Sequence, residues 1–166
     1  PGMTCGVWQE RPESTGYVEA RSADPYDAPI IQPNYLAEEK DQQVLLAGMR
    51  LARNLMRTSA LAPYFDKELV PGDNVESDEE FLDFARCQGT TVYHLIGTAK
   101  MGPATDPQAV VDDQLRVHGI ESLRVVDASI MPTMPSANTN AAVLMIAEKA
   151  SDMITGRSAP IPGAIN

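Results

Sequence analysis

Apolar residues recur at spacings of three and four along three stretches of this chain, and elsewhere they come in short extended runs. In residues 41–57, Val44, Leu45, Gly48, Met49, Ala52, Leu55 and Met56 share one face of a 3.6-residue period. That pattern predicts an amphipathic helix with Lys40, Gln43, Arg50, Arg53 and Arg57 outside. Residues 78–88 read as a second helix. Its start carries a capping box, in which Ser77 accepts from a backbone N–H three residues on and Glu80 reaches back. Acids at 78–80 suit the positive end of the helix dipole, and Gly89 marks the stop. Residues 139–153 read as a third helix, beginning near Asn138 and closing around Gly156.

The extended runs are shorter. Residues 6–10 and 16–21 are strand-like around a turn-rich interval, which predicts a hairpin with a wide loop. Pro25, Pro29 and Pro33 make residues 24–35 extended and irregular. Residues 90–93, 110–112, 115–117 and 123–126 read as further strand pieces, with loops at 97–107 and 129–137. Helices and strands do not alternate regularly, so the class is α+β: a mixed sheet flanked by helices.

A length of 166 residues suits one domain with a real core. The net charge of −10 argues against a nucleic-acid partner, since phosphate binding needs a basic face. No apolar run approaches the ~20 residues of a membrane span. With no signal peptide visible, a cytoplasmic location is expected, and membrane association of a longer form stays open. The chain opens on Pro1 rather than Met, so further sequence upstream is expected. Cys5 and Cys87 stand outside any metal-ligand spacing and are expected to be buried free thiols.

Two polar positions stand out against this background. His94 follows an aromatic and precedes a Gly-containing loop, so it is placed either to line a cleft or to pack on the core with its N–H satisfied. His118 sits in a turn between charged neighbours and reads as a solvated residue. Asn138 has two duties open to it: capping the last helix, or turning its amide toward a ligand at that helix's N-terminus. Ser136, Thr139 and Asn140 crowd the same point, more polar side chains than capping requires. A helix start offers unpaired N–H groups and a partial positive charge to an electron-rich ligand.

The spacing of His94 and Asn138, with Leu123-Arg-Val-Val-Asp-Ala-Ser-Ile-Met-Pro-Thr133 between them, closely resembles the C-terminal signature of the glucose–methanol–choline (GMC) oxidoreductases. Asn138-Thr-Asn-Ala-Ala, Met145-Ile-Ala-Glu-Lys-Ala150 and Gly97-Thr-Ala-Lys-Met-Gly102 fit the same pattern, nearest to its choline dehydrogenase and alcohol dehydrogenase branch. The resemblance implies an FAD-dependent oxidoreductase acting on the CH–OH group of a small-molecule alcohol. It implies His94 as the base and Asn138 as the residue that orients the alcohol toward flavin N5. It further implies contacts to FAD from Tyr93, His94, Asp127, Ala128, Asn138, Thr139 and Asn140. For Asp127 a plain turn-capping role is the competing reading.

The family's Gly-x-Gly-x-x-Gly fingerprint is absent here. The resemblance therefore implies a C-terminal portion whose N-terminal dinucleotide-binding half is missing. Residues 5–110 would form a substrate-side domain, and a terminal strand and helix within 111–157 would return to complete the FAD-binding domain. Weak or no FAD binding and no turnover are expected of the chain alone. Electrons would pass to a quinone or dye-type acceptor. The alternatives are an oxidase using oxygen, a lyase, or a non-catalytic binding domain on the same scaffold.

Overall fold

The computed structural model describes residues 2–158 and divides into two compact units between Val92 and Tyr93. The first unit holds a hairpin of β1 (Tyr17–Glu19) and β2 (Ile30–Gln32), then helices α1 (Glu39–Met56) and α2 (Asp78–Gln88). A short 3-10 turn, Ala62–Tyr64, lies between the helices. The second unit carries a 3-10 turn at Ala128–Ile130 and helix α3 (Asn140–Thr155). Among the described residues, no helix is long and apolar enough to cross a membrane.

The hairpin is not the one the apolar runs predict. β1 pairs antiparallel with β2, in the register Tyr17 opposite Gln32 and Glu19 opposite Ile30, while residues 6–10 form no strand. The strand at 30–32 is only three residues, fitted between Pro29 and Pro33, and so left little pattern to read. Gly16 allows the tight approach: a Cβ there would meet Gln32 O at 1.9 Å.

The helices follow their periodicity, but their packing does not. α1 buries only one residue completely, and it is an acid. Asp41 is 2% exposed and accepts from the backbone N–H groups of Glu13 (2.9 Å) and Ser14 (2.7 Å). Burial pushes its carboxyl up, yet hydrogen bonds from the Ser14 side chain, these two amides and Gln9 outweigh it and hold the group below the usual carboxylate range. Gly48 lies midway along α1 because Val7 packs on it; a Cβ would sit 2.4 Å from Val7 Cγ1.

Arg53 corrects the outside assignment most sharply. Its side chain is 12% exposed and forks onto Glu68, 13% exposed, with Nε to Oε2 at 2.8 Å and Nη2 to Oε1 at 2.7 Å. It also donates to the carbonyls of Gly72 and Val75, and its guanidinium lies 4.5 Å from the centroid of the buried Phe81 ring. α2 begins with the capping box as read. It ends at Gly89 for a different reason from the left-handed φ that commonly ends helices: a Cβ would lie 2.3 Å from Ala85 O.

In the second unit, four buried residues, Val111, Leu115, Ile130 and Ala150, make the core, and Ile146 and Met153 of α3 pack against it. The predicted strand at 90–93 does not form, and those at 110–112, 115–117 and 123–126 reduce to single bridges: Val111 with Met101 of the preceding loop, Val111 with Val117, and Arg116 with Arg124. Each run finds too few backbone partners within the chain to extend a ladder. α3 carries apolar residues beyond its packed face. Ala150 faces the core, while Leu144, Met145 and Ile154 are exposed. Cys5 and Cys87 are free, as expected, but exposed rather than buried. The class is α+β, with far less core than 166 residues would ordinarily enclose.

Candidate active site

Two segments of the second unit meet through shared anchoring. Ala99 and Met101 donate their amides to Ser129 O (3.0 Å) and Ile130 O (2.8 Å), which ties the chain after His94 to the core residue Ile130. α3 rests on that same core through Ala150. Lys100 pairs with Asp106 at 2.7 Å and closes the intervening loop. The Lys100 hydrogen bond, helped by the Gln108 amide, keeps the Asp106 carboxyl below its usual range.

Tyr93 sets the direction of the segment. Its φ of +62° lies in the left-handed region, sparsely populated by a bulky side chain. The backbone therefore turns immediately before His94, and Gly97 (φ +86°) turns it again. His94 is half-buried between the two turns.

The imidazole is held at both nitrogens by consecutive residues at the start of α3. His94 Nε2 lies 3.1 Å from Asn138 Oδ1, and His94 Nδ1 lies 3.4 Å from Thr139 Oγ1. Asn138 is exposed, whereas Thr139 is 8% exposed, so the Nε2 side of the ring is the open one. Asn138 does not cap α3. The N-cap is Thr139, and it makes no side-chain cap bond. Both side chains that might have capped the helix turn to the imidazole instead.

The other expected residues are placed as follows. Asn140 is the exposed first residue of α3. Tyr93 is 80% exposed. Asp127 accepts from the Ser129 amide at 2.8 Å and so caps the 3-10 turn that starts at Ala128. His118 is not solvated as read: it is half-buried and donates from Nε2 to Gly102 O at 3.0 Å. The Thr139 side chain, as a partner of His94, was missed from sequence. Its signal was the surplus of polar residues around Asn138.

A family model described as GMC oxidoreductase matches residues 12–147. The chain belongs to the GMC oxidoreductase family. Among GMC relatives, human mitochondrial choline dehydrogenase is 50% identical over 149 residues, covering 90% of this chain and 25% of that protein. Among solved structures, pyridoxine 4-oxidase from Mesorbium loti superposes with a TM-score of 0.79 at 34% identity, over 90% of this chain and 29% of that one. An FAD-dependent oxidoreductase from Chaetomium thermophilum gives 0.74 at 30% identity, over 85% and 24%. The chain thus spans about a quarter of the length of the curated GMC relatives it matches.

Proposed function

We propose that this chain supplies the C-terminal part of an FAD-dependent alcohol dehydrogenase of the choline type. The observation that carries the reading is the placement of His94 Nε2 3.1 Å from Asn138 Oδ1 on the open side of the ring. A hydride leaves a carbinol carbon readily only as the hydroxyl proton leaves too, and a neutral imidazole is a suitable acceptor near neutral pH. His94 takes that proton. Asn138, exposed and in reach of the same oxygen, orients the alcohol and steadies the developing negative charge without competing for the proton.

The residues present fit the electron-rich edge of a flavin. α3 opens with no acid in its first turn and no side-chain cap, unlike α2, whose first turn carries three acids. Its N–H groups and dipole suit added negative charge. When bound, FAD supplies the hydride acceptor, and Tyr93, His94, Asp127, Ala128, Asn138, Thr139 and Asn140 are the residues assigned to one edge of it.

In the whole protein, residues 5–110 belong to the substrate-side domain and 111–157 to the FAD domain. A quinone or dye-type acceptor takes the electrons. The test is His94→Ala in the full-length protein, with FAD content checked. Turnover of choline or a simple primary alcohol should fall about 100-fold or more. An unchanged rate with FAD in place removes the role given to His94.

A further inference from the structure

We propose that Thr139 is a positioning residue that fixes the tautomer of His94, its hydroxyl oxygen accepting from Nδ1–H so that Nε2 keeps its lone pair for the alcohol. This rests on the function proposed above and adds a residue to it. A neutral imidazole carries one hydrogen, on either nitrogen, and the partner at one nitrogen decides what the other can do.

The two sides of the ring differ. Nδ1 faces the hydroxyl of Thr139, a residue only 8% exposed, while Nε2 faces the exposed Asn138. An alcohol can reach only the Nε2 side. For Nε2 to receive a proton, the ring hydrogen must sit on Nδ1, and Thr139 Oγ1, at 3.4 Å, is positioned to accept it. The opposite tautomer would place a hydrogen on Nε2, donated to Asn138 Oδ1, and leave no lone pair for the substrate. In the Nδ1–H form the Asn138 amide turns over, and an incoming alcohol O–H displaces its NH2 group from Nε2, the NH2 then donating to the alcohol oxygen; the oxygen and nitrogen ends of a carboxamide have the same shape.

In the step that follows, the alcohol O–H proton passes to Nε2. The carbinol C–H bond breaks, with hydrogen and electron pair going to FAD, and a C=O bond forms. Thr139 donates and receives nothing in it. The absence of a cap bond at Thr139 agrees with a hydroxyl engaged elsewhere.

The test uses the full-length, FAD-loaded enzyme with choline as substrate. Nitrogen-15 spectra of histidine-labelled wild type, assigned by subtracting the His94→Ala spectrum, should show neutral His94 with its hydrogen on Nδ1. Thr139→Val keeps the shape and removes the hydroxyl. It should lower kcat roughly tenfold, the loss of about one hydrogen bond, with KM within about twofold and mixed tautomers in the spectrum. Thr139→Ser should return kcat to within about threefold of wild type. A wild-type spectrum with the hydrogen on Nε2 overturns the proposal, as does a serine variant as slow as the valine one or a valine variant at full rate. Should valine impair folding or FAD content, the wild-type and serine spectra decide alone. A His94→Ala enzyme at full rate would instead overturn the base assignment; a dead His94→Ala beside a normal Thr139→Val would remove only Thr139.

Discussion

Removing the guanidinium of Arg53 tests how the first unit is held together. Arg53→Met keeps most of the stem and deletes the head. The head makes two bonds to Glu68 and two to the carbonyls of Gly72 and Val75, and it covers the Phe81 ring. At ~1.5–3 kcal/mol for each bond to a charged group, the four would sum to about 6–12 kcal/mol. That sum rivals the whole stability of a domain, ~5–15 kcal/mol, so the bonds cannot be independent. The better guide is the measured range for breaking a buried pair by removing one partner, about 3–5 kcal/mol, because Glu68 is left charged and largely covered. Arg57 reaches the same carboxylate at 3.3 Å and relieves a part of this, which places the expected loss near ~3 kcal/mol. Arg53→Met with Glu68→Leu should recover most of it, since an apolar pair of similar volume is often neutral or better. Native-state hydrogen exchange of the amides in α1 and residues 68–76 measures the local opening energy in the full-length protein. A single variant within ~0.5 kcal/mol of wild type would refute the reasoning, and so would a double variant no better than the single.

Four further outcomes are expected. Asp41→Asn should destabilise the contact between α1 and residues 13–14 by about 2 kcal/mol, read by exchange of the Glu13 and Ser14 amides. Because the Asp41 carboxyl is held below its ordinary range, its contribution is present above about pH 4 and is lost as pH falls through the lower folded value; wild-type protection of those amides that is flat through that fall contradicts the sign. Gly48→Ala should destabilise by ~1–2 kcal/mol despite the better helix propensity of alanine, since its Cβ meets Val7, and adding Val7→Ala should restore stability; a stabilised single variant would show that Val7 yields freely. Asn138→Ala in the full-length enzyme should lower kcat/KM about 100-fold with FAD retained, and steady-state kinetics showing less than a threefold change would remove its orienting role.

Helix positions were legible because they rest on local signals: periodicity in α1, the Ser77–Glu80 box in α2, and the left-handed Gly156 (φ +69°) after α3. What each helix buries was not. An amphipathic pattern assigns charged residues to water, and it misplaced Arg53, whose charge is met by Glu68 from a loop fifteen residues away. Asp41 hid for the same reason: its partners are backbone amides, which leave no side-chain signature. Strands were the least legible. β2 is three residues between prolines, and the apolar run at 123–126 contributes one bridge, through Arg124. The His94 and Asn138 pairing was open to sequence through resemblance, and the structure brings those side chains together. The contact of Thr139 with His94 was not, because the resemblance assigned Thr139 to FAD and no spacing signals a hydroxyl facing an imidazole 45 residues away.

α3 carries a practical lesson. One face is already packed, yet Leu144, Met145 and Ile154 are turned to water beside the charged Glu148 and Lys149. Made by itself, this polypeptide should cling to columns, bind hydrophobic dyes and precipitate as its concentration rises.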